Sequence, residues 1–235
     1  MIKEALQYLI GLSDANEHYI GDQVYSDKPL HLVKEPVAEP LVVRNLTGLV
    51  DYLAGNYDKL APVLVHVESP TEVNVYSTFS RNRQRHYYLK ASALLPSIPF
   101  GRFLDLEAFN ILLQSCFVPN DDRANVLRIV GNVKEENVTT VGDDGVSQQV
   151  TAKTGIATVE NVIVPNPVRL KPYRTFVEIT QPESEFVFRM RSGPEAALFE
   201  ADGGAWKLEA IQSIKDYLAE ALAEQVSEKF VTIIG

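Results

Sequence analysis

Apolar residues recur at helical spacing in five parts of the chain. Near the C-terminus, for example, Ile211, Ile214 and Leu218 fall on one side of a helix. Asn45 stands directly before the second such part, where its side chain can cap the first turn. The pattern predicts helices over residues 2–12, 46–57, 103–116, 121–131 and 205–226.

Alternating or continuous apolar stretches predict strands between these helices. Residues 63–67, 73–76 and 87–95 are rich in Val, Tyr and Leu, and they predict an antiparallel meander. Three prolines between residues 162 and 174 predict an extended connector, because proline cannot continue a helix. Further segments predict a hairpin over 137–164 with its turn at 142–145, and strands over 173–180, 185–191, 196–201 and 230–234.

The order of these elements indicates the fold class. Helices and strands do not alternate in βαβ units, so we predict an α+β protein with a largely antiparallel sheet and flanking helices. A long C-terminal helix followed by a short strand ends the chain. We predict an N-terminal α+β region over residues 1–134 and a β-rich region over 135–235, closed by that helix. One continuous domain is the alternative.

The composition is that of an ordinary soluble globular protein. The chain has 235 residues, of which 46% are hydrophobic and 23% charged, and its net charge is −9. Cys116 is the one cysteine, which excludes an intramolecular disulfide and fits a reducing compartment. The first residues lack the pattern of a signal peptide, and no apolar run is long enough to span a membrane. We therefore expect a cytoplasmic protein with no membrane partner.

The sequence contains no motif that identifies a reaction. The four histidines are widely spaced, Cys116 has no partner at metal-ligand spacing, and neither a nucleophile motif nor a phosphate-binding loop is present. Neighbouring acids such as Asp143 and Asp144 lie at predicted turns, where solvated carboxylates are the rule. We therefore predict no catalytic residue, no metal and no cofactor, and a binding role is favoured over catalysis.

Residues 73–104 form an acid-free segment in an otherwise acidic protein. They contain no Asp or Glu and five Lys or Arg. Arginines alternate with other residues between aromatic arms, and guanidinium groups can pair with phosphates or carboxylates while rings stack on bases. Simple solvation of a turn is the alternative. The predicted partner-binding residues, for protein or nucleic acid, are Arg81, Arg83, Arg85, His86, Tyr87, Tyr88 and Lys90.

Two further features concern partners. A second acid-free segment, residues 161–177, carries Arg169, Lys171 and Arg174 and predicts a second basic stripe. The apolar strand over 230–234 has no charged residue after Lys229, so it must be paired, either in the chain's own sheet or with another copy. We therefore predict a homo-oligomer.

Four segments of the chain are distinctive: PLHLVKEP at 29–36, VPNPVRLKPYRTF at 164–176, QPESEF at 181–186 and ALFEADGGAW at 197–206. Together they resemble an uncharacterised family of tailed-phage and prophage proteins of unknown function. The resemblance spans nearly the whole chain but includes no catalytic motif. It implies a phage origin, a role inside the host cell during infection, and no site residues.

These observations lead to three functional hypotheses. The first is a non-enzymatic phage protein that self-assembles and contacts itself or a host factor. The second is an accessory single-stranded nucleic-acid-binding protein in phage replication or recombination. The third is a small-molecule enzyme or a protein that sequesters a small molecule.

Overall fold

The structure is a computed structural model that describes most of the chain. The described residues are 2–12, 15–21, 23–26, 28, 37–80, 83–132, 140–143, 148–153, 159–164, 166–191, 193 and 195–235. They form two compact units, residues 1–38 and residues 39–235. Helices and mainly antiparallel strands are both abundant, so the predicted α+β class is confirmed.

The smaller unit is a helix followed by a hairpin. Helix α1 spans Ile2–Leu12, as the apolar spacing predicts, and strands β1 (Glu17–Ile20) and β2 (Gln23–Ser26) pair antiparallel. Its described residues keep large apolar side chains in solvent, among them Ile2, Leu9 and Tyr19.

The larger unit contains five helices and thirteen strands among its described residues. The helices are α2 (Leu46–Gly55), α3 (Leu106–Cys116), α4 (Asp121–Asn132), α5 (Trp206–Ala221) and α6 (Ala223–Ser227). The strands are β3 (Leu41–Val43), β4 (Val63–Ser69), β5 (Glu72–Ser77), β6 (Tyr87–Ser92), β7 (Leu104–Asp105), β8 (Phe117–Val118), β9 (Thr140–Asp143), β10 (Gln148–Lys153), β11 (Val159–Val164), β12 (Val168–Pro172), β13 (Ser184–Arg191), β14 (Glu195–Glu200) and β15 (Val231–Ile234).

The first sheet has the strand order β15-β4-β5-β6-β3. The predicted meander β4-β5-β6 is antiparallel, and the outer strands β15 and β3 each pair parallel to their neighbour. Every second residue of the meander is buried, beginning with Val63, Val65 and Val67. Helices α2 and α5 cover this side, through Leu49 and Leu53 of α2 and Ile214 and Leu218 of α5. We call this packing the first core.

Helix α2 begins at two side-chain caps. The Asn45 Oδ1 accepts a hydrogen bond from the Gly48 amide at 2.9 Å, as the sequence predicts. The Glu178 carboxylate accepts from the Leu46 amide at 2.7 Å across a long sequence separation. These two caps satisfy amides that a helix start leaves without partners, and they tie the helix to the middle of the chain.

The second sheet has the order β7-β14-β13-β12-β8 and is antiparallel throughout. Helices α3 and α4 pack on it around the buried rings of Phe109, Phe117, Phe186 and Phe188. Strands β9, β10 and β11 form a separate antiparallel sheet where the sequence predicts a hairpin. Gly142 and Asp143 of the predicted turn belong to β9, and residues 144 and 145 lie outside the described residues. Both cores combine residues from before and after residue 134, where the composition changes.

The predicted strand over 173–180 is wrong, and strand β12 lies within the predicted proline-rich connector instead. Residues 173–183 form turns around Gln181, which is 5% exposed. Its Oε1 accepts hydrogen bonds from the amides of Arg174 (3.0 Å) and Thr175 (3.2 Å), and its Nε2 donates to the Phe176 carbonyl at 3.0 Å. The side-chain amide thus replaces the partners that a neighbouring strand would supply.

Replacing Gln181 with leucine tests this role. Gln181→Leu keeps the volume but leaves two buried amides without an acceptor, so the free energy of unfolding should fall by roughly 2–5 kcal/mol. Urea unfolding measures the change. Gln114→Leu, at an exposed position, is the control and should shift the value by less than about 0.5 kcal/mol. Equal effects of the two substitutions would contradict the assigned role.

Candidate binding surface

The first sheet has a second face, opposite the core. Because side chains alternate along a strand, burial of Val63, Val65 and Val67 directs the residues between them the other way. We call this side the outer face. Its side chains are half-buried or exposed except Asn74, which is 1% exposed. On the three central strands the outer face consists of Leu64, His66, Glu68, Glu72, Asn74, Tyr76, Tyr87, Lys90 and Ser92.

A bulge places a pair of tyrosines on the outer face. Val75 pairs with Leu89, but Tyr76 pairs with Tyr87, so Tyr88 is the extra residue. Tyr88 packs against the first core, while the rings of Tyr76 and Tyr87 stack with centroids 5.0 Å apart. The bulge therefore decides which of the two consecutive predicted tyrosines lies beside Tyr76 on the outer face.

Asn74 holds the tyrosine pair in place. Its Oδ1 accepts a hydrogen bond from the Tyr87 hydroxyl at 2.6 Å, and its Nδ2 donates to the carboxylates of Glu68 and Glu72. The Lys90 ammonium lies 2.5 Å from the Glu72 carboxylate. Tyrosine, amide, two carboxylates and one ammonium thus form one network, and Lys90 is not free for another anion.

The network changes the acid–base properties of its members. Burial raises the pKa of Tyr87 to about 12, and the neighbouring Tyr76 and the carboxylates of Glu72 and Glu68 act in the same direction. Burial also raises the pKa of Tyr76. The hydrogen bond from Lys90 lowers the pKa of Glu72. At neutral pH the two hydroxyls are therefore protonated and Glu72 is charged.

The loop between β5 and β6 lies at the same end of the sheet as the tyrosine pair. Arg83 is exposed and has a positive φ of 55°, within a turn in which its amide donates to the Ser80 carbonyl. The Arg85 guanidinium donates to the Ser77 carbonyl at 2.8 Å and lies 4.1 Å from the centre of the exposed Phe79 ring. Among the described residues, no carboxylate pairs with either guanidinium.

The predicted residues of this segment thus have different positions. Arg83 and Arg85 lie in the loop at the end of the sheet that carries the tyrosine pair, and Tyr87 and Lys90 lie on the outer face. His86 is half-buried and stacks at 6.4 Å on Tyr88, which packs toward the core. Arg81 lies outside the described residues.

The second predicted stripe lies in the second sheet and its turns. Arg169 is 3.1 Å from Glu185, and Lys171 is 3.7 Å from Glu183. Arg174 is buried, pairs with Glu200 at 3.3 Å and stacks at 3.9 Å on the Trp206 ring. Burial lowers the pKa of Arg174 to about 10. Because carboxylates of the same chain neutralise these cations, we leave them out of the candidate surface.

Sequence reasoning missed the centre of the surface. Asn74, Glu68 and His66 were not among the predicted residues, although the alternation of Val with polar residues in β4 and β5 already assigns them to one face. The bulge at Tyr88 and the contact between Lys90 and Glu72 have no sequence signal.

Neither a metal site nor a membrane-spanning helix is found among the described residues. No group of three or more His, Cys, Asp or Glu is placed where it could hold a metal ion. No helix in the described part of the chain combines the length and apolar character needed to cross a bilayer.

No protein-family model, curated protein or solved structure matches this chain. The resemblance to phage proteins therefore stays a prediction.

The raised pKa of Tyr87 predicts a loss of stability at alkaline pH. The unfolded state releases the phenolic proton near pH 10 and the folded state near pH 12, so this contribution is complete below pH 10 and is lost as the pH rises. Urea unfolding between pH 8 and 11 should show a steeper decline for the unmodified chain than for Tyr87→Phe. Tyr57→Phe, at a position that is 89% exposed, should not change the slope. Parallel declines for all three proteins would contradict the prediction.

Proposed function

We propose that this chain is a non-enzymatic binding protein that self-assembles and contacts another copy or a host factor through the outer face and the β5–β6 loop. In keeping with the resemblance, we place it among phage proteins that act in the host cytoplasm. The observation that carries the proposal is a tyrosine pair on the outer face, held by Asn74, with two arginines in the adjoining loop that pair with no carboxylate of the described residues.

The chemistry of the surface favours a protein partner. Tyrosine and arginine are enriched where interface energy is concentrated, and a held ring loses little entropy on binding. The surface also contains Glu68 and Glu72 close to the rings, and these carboxylates repel a phosphate backbone. An acidic patch on a partner protein can pair with Arg83 and Arg85 at the border while its apolar groups cover the rings.

Single-stranded nucleic acid is the second candidate, and one observation favours it. Bases stack on aromatic side chains presented by a sheet, and nearby arginines pair with phosphates. Tyr76, Tyr87 and the exposed Phe79 supply rings, and Arg83 and Arg85 supply the charges at one end of the sheet.

Photocrosslinking at Phe79 distinguishes the two partners. Phe79 is 64% exposed and lies beside Arg85, so p-benzoylphenylalanine at this position should crosslink whatever binds the loop. The experiment is done with the purified chain alone, with the purified chain and labelled single-stranded DNA, and in cells that produce the probe-bearing chain. The same probe at Tyr57, which is 89% exposed and distant in sequence, is the control.

We expect a protein adduct at position 79. Its yield should fall at least tenfold in the Arg83→Ala/Arg85→Ala variant. Arg102→Ala/Arg128→Ala removes the same charge at two other exposed positions and should leave the yield unchanged. A DNA adduct that weakens steeply with salt would support the nucleic-acid candidate instead. Equal labelling from positions 79 and 57 would overturn both.

A further inference from the structure

Strand β15 lies at an open edge of the first sheet. It pairs with β4 on one side, and no strand in the described part of the chain pairs with its other side. The strand consists of Val231, Thr232, Ile233 and Ile234, which include no charge and no proline. Natural proteins usually protect a free edge with charged residues, proline or a bulge, so an edge without them is suited to pairing with another strand.

The hydrogen-bonding groups on the open side can be assigned. The Val63 amide donates to the Phe230 carbonyl at 2.8 Å, and β15 continues parallel to β4 from Val231 opposite Val63. In a parallel ladder every second residue bonds to the neighbouring strand. Residues 230, 232 and 234 therefore bond to β4, and the amides and carbonyls of Val231 and Ile233 point to the open side.

We propose that β15 pairs antiparallel with β15 of a second copy, about a two-fold axis that passes midway between the two Thr232 residues. This register places Val231 opposite Ile233 of the other copy, so that all four outward groups of each strand form hydrogen bonds. Thr232 then faces Thr232 of the other copy as a non-hydrogen-bonded pair. The strand is self-complementary, as a two-fold interface requires.

The groove beside β15 has the space for this arrangement. A cavity of about 450 Å³ lies along the open edge, between the strand and helices α5 and α6. Helix α5 packs over both β4 and β15. With strands about 4.8 Å apart, the α5 helices of two copies would lie roughly 10–14 Å apart, which is close to the spacing of packed helices.

Three charged side chains border the groove, namely Lys215 and Asp216 of α5 and Lys229. The Lys215 ammonium donates to the Gly235 carbonyl at 3.2 Å, and the Asp216 carboxylate accepts from the Gln212 side-chain amide at 2.7 Å. The choice of a second copy therefore rests on the strand itself, because two identical uncharged edges related by a two-fold axis satisfy the outward hydrogen-bonding groups of both.

The pairing would join two first sheets into one of ten strands. Thr232 and Ile234 are exposed and lie beside Leu64 and His66, so the outer faces of both copies would become continuous. This proposal shares one element with the proposed function, which is a second copy of the chain as partner. It uses a different surface, the sheet edge instead of the β5–β6 loop.

A disulfide crosslink tests the register. In Thr232→Cys the two Cα atoms would lie roughly 4.5 Å apart, within the range that a disulfide spans. Mild oxidation should convert most of this variant to a covalent dimer. Ile234→Cys, on the same face, is the matched control: its two Cα atoms would lie roughly 13 Å apart and should not crosslink. Cys116 is 8% exposed and can remain in both variants. Equal crosslinking of the two variants, or none of Thr232→Cys, would overturn the register.

Light scattering tests the pairing itself. The unmodified chain should have the mass of a dimer, and Thr232→Lys should raise the dissociation constant roughly 100-fold or more, because like charges would meet at the axis. Ile234→Lys should leave the dimer intact. A monomeric mass for the unmodified chain, or a larger mass that Thr232→Lys does not change, would overturn the proposal. Photocrosslinking at Phe79 on the Thr232→Lys variant still reports on the proposed function, so the two failures can be told apart.

Discussion

Burial of every second residue of β4, β5 and β6 beneath α2 and α5 is the constraint on which the rest of the first sheet depends. Each buried valine contributes roughly 1.5–3 kcal/mol, and a shift of one residue would expose all of them. The register is therefore fixed, and with it the identity of every side chain on the outer face. The packing of the first core therefore also determines which residues form the candidate surface.

Local polar contacts hold the side chains of the outer face in place. Asn74 lies between Tyr87 and the carboxylates of Glu68 and Glu72, and Lys90 neutralises part of their charge. The arrangement leaves accessible rings in one orientation beside guanidinium groups that no described carboxylate neutralises. A surface of this mixed character fits recognition of another protein more closely than coating of a uniformly charged polymer.

The two basic segments illustrate the limit of reading charge from a sequence. Both are free of acids along the chain, and both suggested a stripe of positive charge. Folding brings Glu185, Glu183 and Glu200 to the second segment, so its cations form ion pairs within the molecule. Among the described cations of the first segment, Lys90 is the one for which the structure shows a carboxylate partner. Contacts between residues far apart in sequence made this difference.

The sequence by itself determined the α+β class, the five helices of the apolar pattern, the β4-β5-β6 meander and the Asn45 cap, because each depends on residues close together along the chain. Only the tertiary structure decided that Gln181 replaces a strand with turns, that a bulge places Tyr87 on the outer face and Tyr88 against the core, and that β15 is the edge strand of the first sheet as described. Those outcomes depend on contacts between backbone and side-chain groups that are far apart in sequence, and local sequence patterns do not specify such contacts.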